Sequence, residues 1–201
     1  MKKQIKNLAQ KFDTDKNSHG YIDFYQNKLP DEVERLLELG AYKGESLLMW
    51  QGIYPKAKIH TIENFGDALC ASPADLRKWG FILHEGDQND VTFLTGIKEQ
   101  FDVIVDDGDH RPAGQIQAFR HLFANNLKSR GLYFIEDVYS EDEGWNVGVD
   151  MKDRVMPAFL SFIETGFWSS RFFPEHELEF WNNVIKKIEI YDEQLILIRK
   201  K

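Results

Sequence analysis

Between Val103 and Arg111 the chain reads VIVDDGDHR, an apolar run that ends in Asp106, Asp107 and Asp109 followed by His110. A second apolar run, GLYFIED, ends in Glu136 and Asp137. If the two runs are neighbouring strands of one sheet, their tips lie about 5 Å apart. Carboxylates so close raise one another's pKa values unless something positive sits between them, and a divalent cation is the simplest candidate. Carboxylate oxygens are hard ligands suited to Mg²⁺, Mn²⁺ or Ca²⁺, and a Mg²⁺ site keeps positions open for water or for substrate hydroxyls. His110 then has the character of a general base, imidazole being the side chain most often used for proton transfer near neutral pH. A sugar hydroxyl is too weak an acid for imidazole alone, but metal coordination lowers its pKa. Read by itself, DDGDH is also a polar turn with Gly108 at a positive φ; the second acidic strand tip is what favours a site.

The elements that must carry these tips follow from the apolar periodicity, which alternates between short continuous runs and helical spacing, the signature of βαβ units on a parallel sheet. Strands are expected over Val33 to Gly40, Ala57 to Glu63, Phe81 to Asp87, Phe101 to Asp107 and Gly131 to Asp137. Helices are expected from Gly44 to Tyr54, after the Ser72 cap with Pro73 and Asp75 in its first turn, after Asp90, over AGQIQAFRHLFANNL, and over RVMPAFLSFIETGF. KKIEIYDEQLILIRK reads as a β-hairpin about a two-residue turn that lacks Gly or Asn. The expected organisation is an N-terminal segment over 1–30, an amphipathic helix and turn, leading into one α/β domain over 31–201. Trp50, Trp79 and Trp168 read as packing residues.

A second group of candidates falls on the same rim. In ELGAYKGES, Gly40 and Gly44 let the backbone turn tightly beside a ligand, with free N–H groups at the helix start. The pyrophosphate fingerprint G-x-G-x-x-G is absent, because Tyr42 occupies a glycine position, which argues against NAD or FAD. Glu63 ends the second strand, where a carboxylate can accept hydrogen bonds from both ribose hydroxyls of an adenosine, or can simply face water. Asp87 and Gln88 follow the third strand and can meet an adenine edge; the alternative is a polar turn capping the next helix. Ligands of open parallel sheets bind beyond the carboxyl ends of the strands, which is where all these residues lie.

Five β/α steps closed by an antiparallel hairpin resemble the class I methyltransferases that use S-adenosylmethionine (SAM). ELGAYKGES, DDGDH and GLYFIED, in that order and spacing, resemble the metal-dependent sugar O-methyltransferases of macrolide biosynthesis, the mycinamicin type. The sequence is also similar to proteins named after cephalosporin hydroxylase, and the segment Lys11 to Leu29 resembles one that precedes the fold in this group. The resemblance implies a Rossmann-like α/β fold with a mostly parallel seven-stranded sheet. It implies Mg²⁺ (or Mn²⁺) at Asp107, Glu136 and Asp137, with His110 as catalytic base. SAM would be served by Glu38, Gly40, Tyr42, Gly44, Ser46, Glu63, Asp87, Gln88 and Asp106. Lys16, His19, Tyr21 and Tyr25, with Tyr139 and Trp145 after the fifth strand, would form a lid or acceptor surface, or else cover the core. Two departures stand out: Asp109 replaces the serine usual in DDGSH, and Arg130 replaces a glycine usual before the fifth strand. The larger macrolide enzymes carry an additional N-terminal region not seen in this sequence, so their macrolide acceptor does not transfer by resemblance.

Composition bounds the alternatives. At 201 residues and 42% hydrophobic content, the chain has the size of one domain that buries roughly 70% of its unfolded surface. Acidic residues outnumber basic ones, 33 to 25, for a net charge of -8, and no basic stripe argues for nucleic acid or an anionic membrane. No apolar run approaches the ~20 residues of a membrane span and the N-terminus lacks a signal-peptide core, so a cytoplasmic location is expected. Cys70, the single cysteine, is expected to be a small buried hydrophobe. The expected reaction is O-methylation of a hydroxyl on a sugar or glycosylated small molecule, with that acceptor as partner and a homo-oligomer left open. The competing readings are a hydroxylation or methoxylation component on the same fold, and a non-catalytic module that binds SAM or a nucleotide.

Overall fold

The computed structural model describes residues 2–138, 144 and 146–201. Its sheet has seven strands in the order β3-β2-β1-β4-β5-β7-β6. These are β1 (Arg35–Leu39), β2 (Lys58–Glu63), β3 (Ile82–Glu85), β4 (Phe101–Asp106), β5 (Leu127–Ile135), β6 (Ile185–Tyr191) and β7 (Leu195–Lys200). The first five run parallel, and β7 lies antiparallel between β5 and β6. Strands covered on both faces read as continuous apolar runs rather than alternating ones. Accordingly Leu36, Leu37 and Leu39 of β1 and Val103, Ile104 and Val105 of β4 are all fully buried.

Helices cover both faces. On one side α6 (Pro112–Asn125), α7 (Val155–Thr165) and α8 (Leu178–Val184) pack Ile116, Phe119, Phe123, Phe159 and Trp181 against the sheet. On the other, α1 (Lys2–Phe12), α2 (Tyr21–Lys28) and α3 (Glu45–Ile53) contribute Ile5, Ala9, Tyr21, Tyr25, Leu47 and Trp50. Two short helices complete the crossovers: α4 (Pro73–Lys78), whose Ser72 hydroxyl accepts from the Asp75 N–H at 3.2 Å, and α5 (Val91–Gly96), capped by Asp90.

The expected architecture holds, with three local differences. β5 begins at Leu127, earlier than the GLYFIED run, because a register irregularity between Phe101 and Val103 of β4 lets the polar Lys128 to Arg130 stretch join it. α8 was not anticipated; it is short, and Trp181 anchors it by stacking on Phe119. The hairpin turn puts Asp192 and Glu193 at φ 50° and 54°, with the Gln194 N–H on the Tyr191 carbonyl. That is the left-handed pair of a type I′ turn, formed here without Gly or Asn.

The chain order reverses between β1 and β4, the switch point where open α/β sheets bind ligands. Register pairs Leu39 with both Ile62 and Asp106, Glu63 with Glu85, and Asp106 with Ile135. The residues just beyond these pairs therefore open onto one rim.

Candidate active site

That rim holds a cleft of about 600 Å³, within the range of about 300–1,000 Å³ usual for cofactor sites. Gly40, Tyr42, Glu63, Asp87 and Gln88 line one part of it, and Asp107, Asp109, His110 and Asp137 another. Asp107, His110 and Asp137 each offer a ligand atom within 4.8 Å of the other two. The backbone is bent to achieve this: His110 and Asp137 sit at φ 56° and 54°, and Tyr42 and Phe65 on the same rim are also left-handed. Non-glycine residues in that region are strained and cluster at functional sites.

Gly40 makes the close approach possible. It has φ 84°, and a Cβ there would lie 2.2 Å from the carbonyl oxygen of Asp107, so only glycine lets the β1 turn lie against the DDGDH loop. Gly108 is similarly confined: its Cβ would fall 1.7 Å from Oε1 of Gln88.

Beneath the acidic tips lies a buried lysine. Lys16 Nζ, from a 3₁₀ turn over Asp15–Asn17, sits 2.5 Å from Asp107, 2.7 Å from Glu136 and 3.2 Å from Glu38. Lysine is almost never buried unless paired, and here it is fully buried among three carboxylates. Burial opposes its charge, but Asp107, Glu136 and Glu38 together outweigh that and hold its pKa well above the ordinary lysine value. Burial pushes Glu136 well above the usual carboxylate range and Glu38 upward too, with Lys16 pulling both back. Asp107 is also lifted by burial; Lys16 and His110 counter this, and Asp137 adds to it by repulsion.

The N-terminal candidates all converge here. Tyr21 donates to Asp137 at 2.6 Å, Tyr25 donates to Glu136, and His19 Nδ1 is 3.3 Å from Asp137. Lys16, Tyr21 and Tyr25 are fully buried, so in this structure they form the floor of the site rather than a flap over it. Tyr139 and Trp145 lie outside the described residues.

Glu136 does not join Asp107 and Asp137 at the cleft. Its side chain is buried and held by Lys16 and Tyr25, and its backbone carbonyl accepts from Gln115 at 2.8 Å. The positive φ at Asp137 turns only the second acid of IED toward the rim.

Among the SAM candidates, Gly40, Tyr42, Glu63, Asp87 and Gln88 reach the cleft, whereas Glu38, Gly44, Ser46 and Asp106 support it from behind. Glu38 accepts from the Ser46 hydroxyl at 2.7 Å and so pins the start of α3. Gly44 packs on Trp79. Asp106, raised well above the usual range by burial and then by Asp109, accepts from Gln88 at 3.2 Å. Glu63 accepts four backbone N–H groups, from Ala41, Tyr42, Asn64 and Phe65, at 2.8–3.3 Å. A carboxylate has about four such positions, so Glu63 shapes the two loops, and a ribose would share or replace those bonds. Asp109 accepts from Asn89 at 2.7 Å and from the Arg111 N–H at 3.0 Å, which ties the β3 loop to the start of α6. Cys70 is half-buried on the cleft wall rather than in the core. Sequence reading also passed over Asn64, Asp67 and Arg111, which line the cleft from loops without a motif.

The donor set fits a hard divalent cation: the carboxylates of Asp107 and Asp137 face the cleft with His110 beside them, and such an ion would offset the burial that lifts Asp107 and, after it, the repulsion from Asp137. The cleft beside it has room and polar groups for a nucleoside-sized cofactor.

Comparison with solved structures gives the architecture a name. The chain superposes on the MycE methyltransferase of the mycinamycin biosynthetic pathway, solved with Mg and SAH, with a TM-score of 0.76 and 24% identity over 98% of this chain and 54% of that one. The fold is that of a class I methyltransferase. A putative caffeoyl-CoA O-methyltransferase from Staphylococcus aureus matches over 100% of this chain and 99% of its own at TM-score 0.59 and 16% identity. Curated relatives of the chain are sugar O-methyltransferases. The mycinamicin VI 2''-O-methyltransferase of Micromonospora griseorubida is 33% identical over 135 residues, 61% of this chain and 32% of that protein. The L-olivosyl-oleandolide 3-O-methyltransferase of Streptomyces antibioticus is 29% identical over 148 residues, 66% of this chain and 36% of that protein. The chain thus spans about a third of the length of the curated relatives it matches. No protein-family model matches it. Among the described residues no helix is long and apolar enough to cross a membrane.

Proposed function

We propose that this protein catalyses SAM-dependent, divalent-metal-assisted O-methylation of a hydroxyl on a sugar or glycosylated small molecule. The observation that carries the reading is the convergence of Asp107, His110 and Asp137 on the same cleft as Gly40, Glu63 and Asp87. The relatives' names, which are those of sugar O-methyltransferases, support the acceptor class.

Asp107 and Asp137 would hold the cation, with His110 beside them. When bound, SAM supplies an electrophilic methyl group and the cation supplies positive charge that makes a neighbouring hydroxyl more acidic. His110 would accept that hydroxyl's proton on an imidazole nitrogen as the oxygen bonds to the methyl carbon and the sulfur–methyl bond breaks, which leaves S-adenosylhomocysteine. Lys16 and Tyr21 fix Asp107 and Asp137 from below through their 2.5 Å and 2.6 Å contacts, the outer-shell support that holds ligating carboxylates in place. Gly40, Tyr42 and Asp87 flank the nucleoside, and alignment of the methyl with the hydroxyl supplies much of the rate.

The test is methyl transfer from labelled SAM to nucleotide sugars, glycosylated natural products and polysaccharides, with and without Mg²⁺. The expected product is heavier by one methylene, forms only with metal, and is lost in His110→Ala and Asp107→Ala while SAM still binds. Near-wild-type turnover in both variants, or a product that has gained oxygen, overturns the reading.

A further inference from the structure

The described residues contain a second group able to hold a metal ion, and it lies away from the cleft. His60 on β2 and His84 on β3, with Glu99 in the segment before β4, each offer a ligand atom within 4.8 Å of the others. Register pairs Ile62 with His84 and His60 with Ile82. The two histidines are therefore diagonal neighbours on one face of the sheet, a spacing that long side chains bridge. Their rings stack at 5.3 Å and 14°, with His60 Nδ1 3.0 Å from His84 Nε2. Two nitrogens bound tetrahedrally at about 2.0–2.1 Å from a zinc ion lie about 3.3 Å apart, a few tenths of an ångström from this spacing.

The third ligand is fixed as well. Asn126, itself buried, donates to the carbonyls of Ile97 and Glu99 at 2.9 and 3.0 Å, so the segment carrying Glu99 is anchored to the end of α6. His60 is buried, while His84 and Glu99 are half-exposed, which gives an ion a way in and leaves room for water. No lysine or arginine side chain is hydrogen-bonded to Glu99 among the described residues.

We propose that His60, His84 and Glu99 form a site for a borderline-soft divalent cation of the zinc class, distinct in chemistry from the Asp107 cleft. Two imidazoles and one carboxylate form a donor set that zinc accepts and that Mg²⁺, an all-oxygen ion, does not favour. The ion would staple β3, the short edge strand that leads into Gly86–Gln88, to β2 and to the segment before β4.

The test is titration of the untagged, metal-stripped full chain with Co²⁺, read by its visible absorption, and with Zn²⁺, read by calorimetry and thermal melting. Wild type is expected to bind one equivalent that is retained in Asp107→Asn, whose cleft is impaired. His84→Gln and Glu99→Gln, with unchanged far-ultraviolet circular dichroism, are expected to weaken it by more than about 100-fold, since losing even outer-shell support costs about 10–100-fold. In the Asp107→Asn background Zn²⁺ raises the Tm, and adding His84→Gln abolishes that rise. If wild type shows no saturable binding beyond what Asp107→Asn removes, or if both variants bind like wild type, the histidine pair is a plain hydrogen bond and the proposal fails.

Discussion

Replacing Lys16 by Met tests the buried charge cluster directly. The ammonium is the cation for Asp107, Glu136 and Glu38, at 2.5, 2.7 and 3.2 Å. Removing one partner of a buried ion pair costs about 3–5 kcal/mol, because charge is left without compensation. The protein's escape is to protonate a carboxyl. Neutralising one glutamate of ordinary pKa about 4.3 costs about 1.4 kcal/mol per pH unit, thus about 4 kcal/mol at pH 7.5 and about 1.6 kcal/mol at pH 5.5. The sign follows: in the variant the folded carboxyl has a pKa above its unfolded value, so the folded state binds the extra proton and the variant loses stability as pH rises. Urea unfolding in EDTA at both pH values is the assay. Lys16→Met is expected to be about 4 kcal/mol less stable than wild type at the higher pH and about 2 kcal/mol less at the lower. A loss below about 1 kcal/mol at the higher pH, or a gap that does not narrow on acidification, would refute the reasoning.

Gly40→Ala forces a Cβ to within 2.2 Å of the Asp107 carbonyl at φ 84°; the left-handed conformation alone costs about 1–2 kcal/mol. Denaturant melts should show more than about 2 kcal/mol lost, with SAM binding abolished by calorimetry; unaltered SAM affinity would contradict the close approach. Asp109→Ala releases Asn89 and the start of α6 and should cost about 1 kcal/mol, measured the same way. Burial, and then His84, bring the pKa of His60 down to about 4. Its contribution to stability is complete above the unfolded value of about 6.5 and is lost as pH falls toward 4, with a slope of up to about 1.4 kcal/mol per unit. In metal-free buffer His60→Gln should flatten that slope, and an unchanged pH profile would count against it.

The strands, their order along the chain and the rim were legible because parallel strands are apolar throughout and end abruptly in polar residues. The caps at Ser72 and Asp90 were legible for the same local reason. Which acid of Glu136 and Asp137 faces the cleft was not, since it depends on a positive φ that no residue type announces. The burial of Lys16 is not legible in a polar stretch; it follows from three carboxylates, one on β1 and two just beyond the ends of β4 and β5. Glu63 was singled out for ribose, and the four backbone donors it satisfies become visible only once two loops are folded around it. His60 and His84 escaped notice because they are far apart in sequence, and only the β2–β3 register brings them together.

The placement of β7 bears on how the protein is made. Of the seven strands it is synthesised last, yet it lies inside the sheet, with Ile196, Leu197 and Ile198 fully buried between β5 and β6. Until Leu195–Lys200 clear the ribosome, β5 presents an open edge next to the acidic floor of the cleft, and open edges recruit other strands. The sheet is therefore closed on that side only once β7 inserts, and a chain truncated before β7 is exposed to aggregation at β5, the strand that leads into Glu136 and Asp137.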